Sequence, residues 1–141
     1  MELSKETVFK LIEEATKARD MAYAPYSKFH VGAALLLGDG SIVTGCNIEN
    51  ASFGATNCAE RTAIFKAISE GKRHFKAIAI CGGEQKDDTD FCPPCGICRQ
   101  VMREFCKPDF KILLSANHGK DIKEYTLEEI LPESFGPDNL K

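Results

Sequence analysis

Apolar residues recur at helical spacing through Val8, Leu11, Ile12, Ala15, Ala18 and Ala22, behind Ser4, a residue suited to cap a helix. The pattern predicts an amphipathic helix that stops before Pro25. From Val31 to Leu37 the chain is small and apolar, Gly38-Asp39-Gly40 reads as a turn, and Ile42-Val43-Thr44-Gly45-Cys46 continues as a second strand, so a hairpin is expected. A second helix opens at Cys58-Ala59-Glu60, with Asn57 as its cap, Ala59, Ala63, Ile64, Ala67 and Ile68 on one face, and Gly71 closing it. Phe75 to Cys81 reads as a buried strand and Glu84 to Asp90 as a polar loop. The segment Cys92-Pro93-Pro94-Cys95-Gly96-Ile97-Cys98 then leads into a third helix with Ile97, Val101, Met102 and Phe105 inward. Phe110 to Leu114 and Glu124-Tyr125-Thr126 read as strands, and Leu127 to Leu131 as a last helix. A hairpin followed by alternating helix and strand predicts an α/β layer sandwich, with helices on both faces of a mixed sheet.

Composition narrows the class. The 141 residues are 43% hydrophobic and 28% charged, the profile of a single domain over 1–141 without linker or repeat. A domain of this length buries roughly 70% of the surface its unfolded chain exposes, so it needs no metal simply to fold. Any metal is then expected to be functional. The formal net charge is −3 and the eighteen Lys and Arg are scattered, which argues against a nucleic-acid polymer as partner. The opening Met1-Glu2-Leu3-Ser4-Lys5-Glu6 has no apolar run behind a basic one, and no stretch approaches a membrane span. The reading is a protein neither secreted nor membrane-bound, cytoplasmic or nuclear. Seven cysteines in a reducing compartment point to metal or redox chemistry rather than a disulfide framework.

Cys95 and Cys98 are three apart at a helix start, so both sulfurs can reach one ion. Cys58 opens another helix, where unpaired amides and the dipole favour a thiolate. If the two helix starts converge, three sulfurs meet around zinc and the fourth position stays open for water, the arrangement of a catalytic site. Glu60, two residues on, reads as a carboxylate near the metal that can take a proton from activated water and pass it to a substrate. Three thiolates outweigh Zn²⁺ by one negative charge, and Arg61 is the candidate to offset it by hydrogen bonds to sulfur.

These residues resemble a known family. Cys58-Ala59-Glu60 with Pro94-Cys95-Gly96-Ile97-Cys98 is similar to the zinc deaminase signature, H-x-E followed by P-C-x-x-C, in its three-cysteine form. Tyr26-Ser27-Lys28-Phe29-His30-Val31-Gly32-Ala33, Asn47-Ile48-Glu49-Asn50-Ala51-Ser52, Cys98-Arg99-Gln100 and the closing Phe135-Gly136-Pro137 extend the likeness to the short cytidine deaminases almost end to end. The resemblance implies a three-layer α/β/α sandwich around a five-stranded mixed sheet, one Zn²⁺ per subunit and a homotetramer. The implied reaction is hydrolysis of cytidine and deoxycytidine to uridine and deoxyuridine plus ammonia, in pyrimidine salvage. It also implies substrate contacts at Phe29, Asn47, Ile48, Glu49 and the backbone of Ala59. Asn47 and Glu49, two apart in an extended stretch, face the same way and can hold a sugar hydroxyl, and the carboxylate disfavours a 5′-phosphate. Phe135, between Pro132 and Pro137 in the tail, is expected to dock on a neighbouring subunit. His30, where the family usually has Pro, and Cys92-Pro93 depart from the pattern, and Cys92 is expected to lie near the ligands, able to compete for metal or to oxidise.

Other readings stand beside these. Cys95 and Cys98 alone would equally suit half of a structural zinc knot, and Cys92-Pro93-Pro94-Cys95 looks like a dithiol redox motif, though neither explains Glu60 or Asn47. A zinc-stapled binding module predicts a closed fourth ligand. Among enzymes the neighbouring alternative is a deaminase of another aminopyrimidine, such as a nucleoside-like antibiotic. Cys46, Cys81 and Cys106 are read as small buried hydrophobes.

Overall fold

The computed structural model describes residues 2–84 and 88–140. Ser4 caps α1 (Lys5–Arg19), its hydroxyl accepting from the Thr7 amide, and Leu11, Ile12, Ala15 and Ala18 form the buried stripe. Ala22 falls beyond this helix, which ends earlier than the apolar spacing predicts. The hairpin strands β1 (Phe29–Leu37) and β2 (Ile42–Cys46) follow. Next come α2 (Ala59–Ser69), β3 (Phe75–Glu84), α3 (Gly96–Phe105), β4 (Lys111–Ala116), β5 (Asp121–Thr126) and α4 (Leu127–Ile130). The sheet order is β2-β1-β3-β4-β5, with β3 and β4 parallel and the other neighbours antiparallel. The parallel pair is joined through α3, as a crossover requires.

Both faces of the sheet are covered, which is why its central strands read as unbroken apolar runs. Val31, Ala33, Leu35 and Leu37 of β1, with Ile78 and Ile80 of β3, pack toward Ala63 and Ile64 of α2, Met102 of α3 and Leu127 of α4. The intervening Ala34, Leu36, Ala77, Ala79 and Cys81 pack toward Leu11, Ile12 and Ala15 of α1. This is the three-layer α/β/α sandwich around five mixed strands. Gly45 sets how closely α2 lies on the sheet: a Cβ there would stand 2.5 Å from the Ala63 nitrogen and 2.6 Å from the Ala59 carbonyl oxygen. The first turn of α2 is thereby pressed onto β2.

Three local expectations are corrected. Cys58, not Asn57, is the cap residue of α2, and the Asn57 amide bonds Thr62 instead. Ile97 is 62% exposed rather than inward, because α3 turns Cys98 and Met102 to the core at its first and second turns. The strands after α2 run longer than their apolar stretches, since β-ladder pairing continues through Gly83 and Glu84 and through Asp121 to Lys123. Of the predicted loop Glu84 to Asp90, positions 85–87 lie outside the described residues. Asp88 is buried and accepts from the His118 amide at 3.0 Å, tying that loop to the β4–β5 turn. Among the described residues no helix is long and apolar enough to cross a membrane.

Candidate active site

Two helix starts meet above one end of the sheet. Cys58 and Cys95 are the cap residues of α2 and α3, both with extended backbone, and neither side chain bonds its own helix amides. Their sulfurs are therefore free to turn toward each other. Cys95 Sγ lies 3.8 Å from Cys58 Sγ and 3.5 Å from Cys98 Sγ, and all three sulfurs fall within 4.8 Å of one another. A tetrahedral zinc with Zn–S bonds of about 2.3 Å sets its sulfurs about 3.8 Å apart, so the trio matches one ion with little adjustment. Among the described residues no fourth His, Cys, Asp or Glu joins the group.

The surroundings favour charge on sulfur. Cys98 and Arg61 donate toward the Cys58 sulfur, the Arg61 Nη2 at 3.1 Å, and together they outweigh burial and pull the Cys58 thiol down to about 5. Cys98, hydrogen-bonded to that sulfur and buried, is pushed up and keeps its proton while no metal is bound. The Arg61 Nε is buried without a hydrogen-bond partner, while Nη2 of the same guanidinium serves the Cys58 sulfur. The donor set and its counter-charge thus suit Zn²⁺.

Glu60 sits in the first turn of α2 and is 4% exposed. Burial, reinforced by the Cys58 charge and opposed by hydrogen bonding from its own amide and Cys98, lifts its carboxyl to about 7. A carboxyl poised there gains and loses protons with little driving force in either direction, the property a general acid and base needs.

The stretch Asn47-Ile48-Glu49 runs beside this group. Ile48 exchanges two backbone hydrogen bonds of 2.9 Å with Asn57, the residue before Cys58, while Tyr23 pairs with the other side of the stretch through the Asn47 carbonyl at 3.0 Å and the Glu49 amide at 2.8 Å. Asn47 and Glu49 do point the same way, toward residues 26–31. Asn47 Nδ2 donates to the Phe29 carbonyl and its Oδ1 accepts from the Val31 amide, each at 2.8 Å, so the side chain acts as one more rung of the β1 ladder. Glu49 Oε1 accepts from the Tyr26 and Ser27 amides, and Oε2 from the Ser27 hydroxyl, whose bond holds the carboxyl below the usual range. Phe29 begins β1 and is partly exposed, lining a cavity of about 240 Å³ with Gly82, Gly83 and Glu84. Ala59 is fully buried at the first position of α2.

Phe135 is 60% exposed on the tail, where its carbonyl accepts from Gln100 Nε2 at 2.8 Å. Cys92 packs over Gly82 outside the metal-capable trio but close enough to feel it: burial, with the charges of Glu60 and Cys58 adding to it, pushes its thiol up to about 12, which opposes the thiolate that metal binding needs. Arg99, to which the sequence reading assigns no role, donates from Nε to the Pro94 carbonyl and from Nη1 to the Ile130 carbonyl, both at 2.8 Å. Its position four residues beyond the cap Cys95 was the available signal. Tyr23, Tyr26, Ile48 and Phe53 leave a largely exposed apolar rim, with the Tyr26 and Phe53 rings edge-to-face at 6.0 Å.

Comparison with known proteins agrees with this geometry. Residues 5–114 match the family described as the cytidine and deoxycytidylate deaminase zinc-binding region. The chain is 54% identical over 130 residues to the cytidine deaminase of Halalkalibacterium halodurans, covering 92% of this chain and 95% of that one. It is 35% identical over 130 residues to the blasticidin-S deaminase of Bacillus cereus, covering 89% and 90%. The crystal structure of a cytidine deaminase from Burkholderia pseudomallei superposes with a TM-score of 0.83 at 45% identity, covering 94% of this chain and all of that one.

Proposed function

The chain belongs to the cytidine and deoxycytidylate deaminase family, and from that premise we propose that it hydrolyses cytidine and deoxycytidine to uridine and deoxyuridine plus ammonia, with Cys58, Cys95 and Cys98 as zinc ligands and Glu60 as the catalytic carboxylate. The observation that carries this is a trio of sulfurs able to share one ion beside a buried carboxyl held near neutrality. Zinc held by Cys58, Cys95 and Cys98 would supply Lewis-acid activation of water.

The chain's own groups do the rest. Glu60 accepts one proton from the attacking water and passes it to the ring nitrogen. It then accepts the second from the hydroxyl newly bonded to C4 and passes it to the amino group, which leaves as ammonia while the water oxygen remains as the C4 carbonyl. Arg61 offsets the excess thiolate charge, together with the two helix N-termini. Asn47, Ile48 and Glu49 face the sugar, the Ala59 backbone contacts the base, and Phe29 packs on the ring. The alignment of the 47–49 stretch against Asn57 supports that assignment, because it sets these residues at the edge of the metal group. A carboxylate at Glu49 favours nucleosides over 5′-phosphates. One catalytic domain over 1–141 is supported by a sheet that draws strands from residues 29 to 126. The exposed rim and Phe135 support a homotetramer, with the tail docking on a neighbour. A role in pyrimidine salvage, in the cytoplasm or nucleus, completes the reading.

Glu60→Gln tests it. The variant is expected to keep stoichiometric zinc and the wild-type melting temperature while losing roughly 10² to 10⁴ in turnover of cytidine, followed by ultraviolet absorbance. Unchanged turnover would remove Glu60 from the reaction. The likeness to a blasticidin-S deaminase favours one second reading, a preference for that compound. Competition settles which is preferred: cytidine is expected to be consumed first from an equimolar mixture with blasticidin S.

A further inference from the structure

The three sulfurs are not held alike. Cys98 is fully buried in the core, and Cys58 receives the Arg61 guanidinium. Cys95 is exposed, and among the described residues the polar contacts of its side chain are with the other two sulfurs. Its place must come from its backbone. The residue before it is Pro94, whose ring fixes φ and which has no amide hydrogen, and the peptide between them is planar. One soft torsion remains, rotation about the Pro94 Cα–C bond, and it swings the whole Pro94–Cys95 peptide plane with Cys95 attached.

Arg99 stops that rotation. Its Nε donates to the Pro94 carbonyl at 2.8 Å, and Nη1 of the same planar group donates to the Ile130 carbonyl at 2.8 Å. Ile130 is the last residue of α4, so its carbonyl has no further turn of its own helix to bond. The Arg99 amide also bonds the Cys95 carbonyl at 3.0 Å, which anchors the base of the arginine to the same turn. A rigid fork thus ties the peptide preceding the exposed ligand to the end of a helix packed on the other side of α3. We infer that Arg99 is the positioning residue of the metal site: it bridges Pro94 to Ile130 and so holds Cys95 where its sulfur completes the trio. This rests on the reading of the three cysteines as zinc ligands. Lysine keeps the charge at this position but lacks two fixed donors, and cannot make the bridge.

The test follows metal instead of turnover. Zinc-loaded wild type, Arg99→Lys and Arg103→Gln are each mixed with a chromophoric zinc chelator and the release of metal is timed. Arg99→Lys is expected to release zinc at least about tenfold faster, in the range found for residues that orient metal ligands. Arg103 is the control: it lies on the same helix and binds Ser134 Oγ at 2.9 Å, touching the tail and not the Cys95 turn, so Arg103→Gln is expected to release zinc at the wild-type rate. Cobalt(II) in place of zinc reports the geometry, and its d–d bands are expected to shift in Arg99→Lys alone. Arg99→Gln, which keeps one amide donor but no fork, is expected to lie between. A folded Arg99→Lys or Arg99→Gln that holds zinc like wild type with unchanged cobalt bands overturns the inference. Collapse of both variants overturns it equally, by making Arg99 a folding residue. Wild type that takes up no stoichiometric zinc would instead defeat the reading of the cysteines as ligands.

Discussion

Cys58 at the start of α2 and the cysteines in the packed layers are chemically identical residues with opposite behaviour. Cys58, at the start of α2 with Arg61 and Cys98 donating to it, has its thiol drawn down to about 5. Cys92, packed over Gly82, is pushed up to about 12 by burial, and burial alone raises Cys106 as well. What differs is the company each sulfur keeps. Side-chain donors and a nearby guanidinium stabilise a thiolate, whereas apolar neighbours offer it nothing. A count of cysteines therefore says little about metal chemistry until each one is placed at a helix end or inside a layer.

Removing a sulfur from each region gives the largest contrast. Cys98→Ala is expected to abolish stoichiometric zinc and deamination together, read by metal analysis and absorbance. Cys106→Ala is expected to cost about 1 to 3 kcal/mol of stability in a denaturant melt and to leave zinc content unchanged. Equal zinc content in the two variants would erase the distinction. Arg61→Gln sharpens it at the helix start itself. With the Cys58 sulfur stripped of its 3.1 Å donor, metal affinity or activity is expected to fall about ten- to hundredfold while the fold persists. An indifferent enzyme would take Arg61 out of the charge balance.

The mildest probe is alkylation of the metal-free chain with iodoacetamide, mapped by peptide. Thiolate is the reactive form, present above a thiol's pKa and lost as pH falls through it. Cys58, down at about 5, is expected to label readily at neutral pH and to slow only as pH drops through about 5. Cys92, at about 12, stays protonated over that whole range and is expected to label far more slowly. Comparable rates at the two sites would show that their surroundings do not divide them.

Much of the site was legible from local pattern. Cys58-x-Glu60 and Cys95-x-x-Cys98 could be set on helix starts because caps, proline and helical periodicity act within a few residues. The same holds for the β1–β2 hairpin, whose turn is written in Gly38-Asp39-Gly40. Side-chain bonds across long stretches of chain were not legible. The Asn47 amide serves as a rung of β1, Glu49 caps the Tyr26–Ser27 turn, and Arg99 reaches Ile130, thirty-one positions away. Ile97 was misplaced for a related reason: an apolar residue at helical spacing does not reveal which side of a first turn the fold will cover.

By itself the sequence determined which residues could do chemistry and which elements would carry them, because propensity, capping and periodicity are properties of short segments. The tertiary structure alone decided that two helix starts thirty-seven residues apart would bring Cys58 and Cys95 within 3.8 Å, and that the strands would line up as β2-β1-β3-β4-β5. Those outcomes depend on burying two opposite faces of one sheet at once, a condition that only the whole folded chain can satisfy.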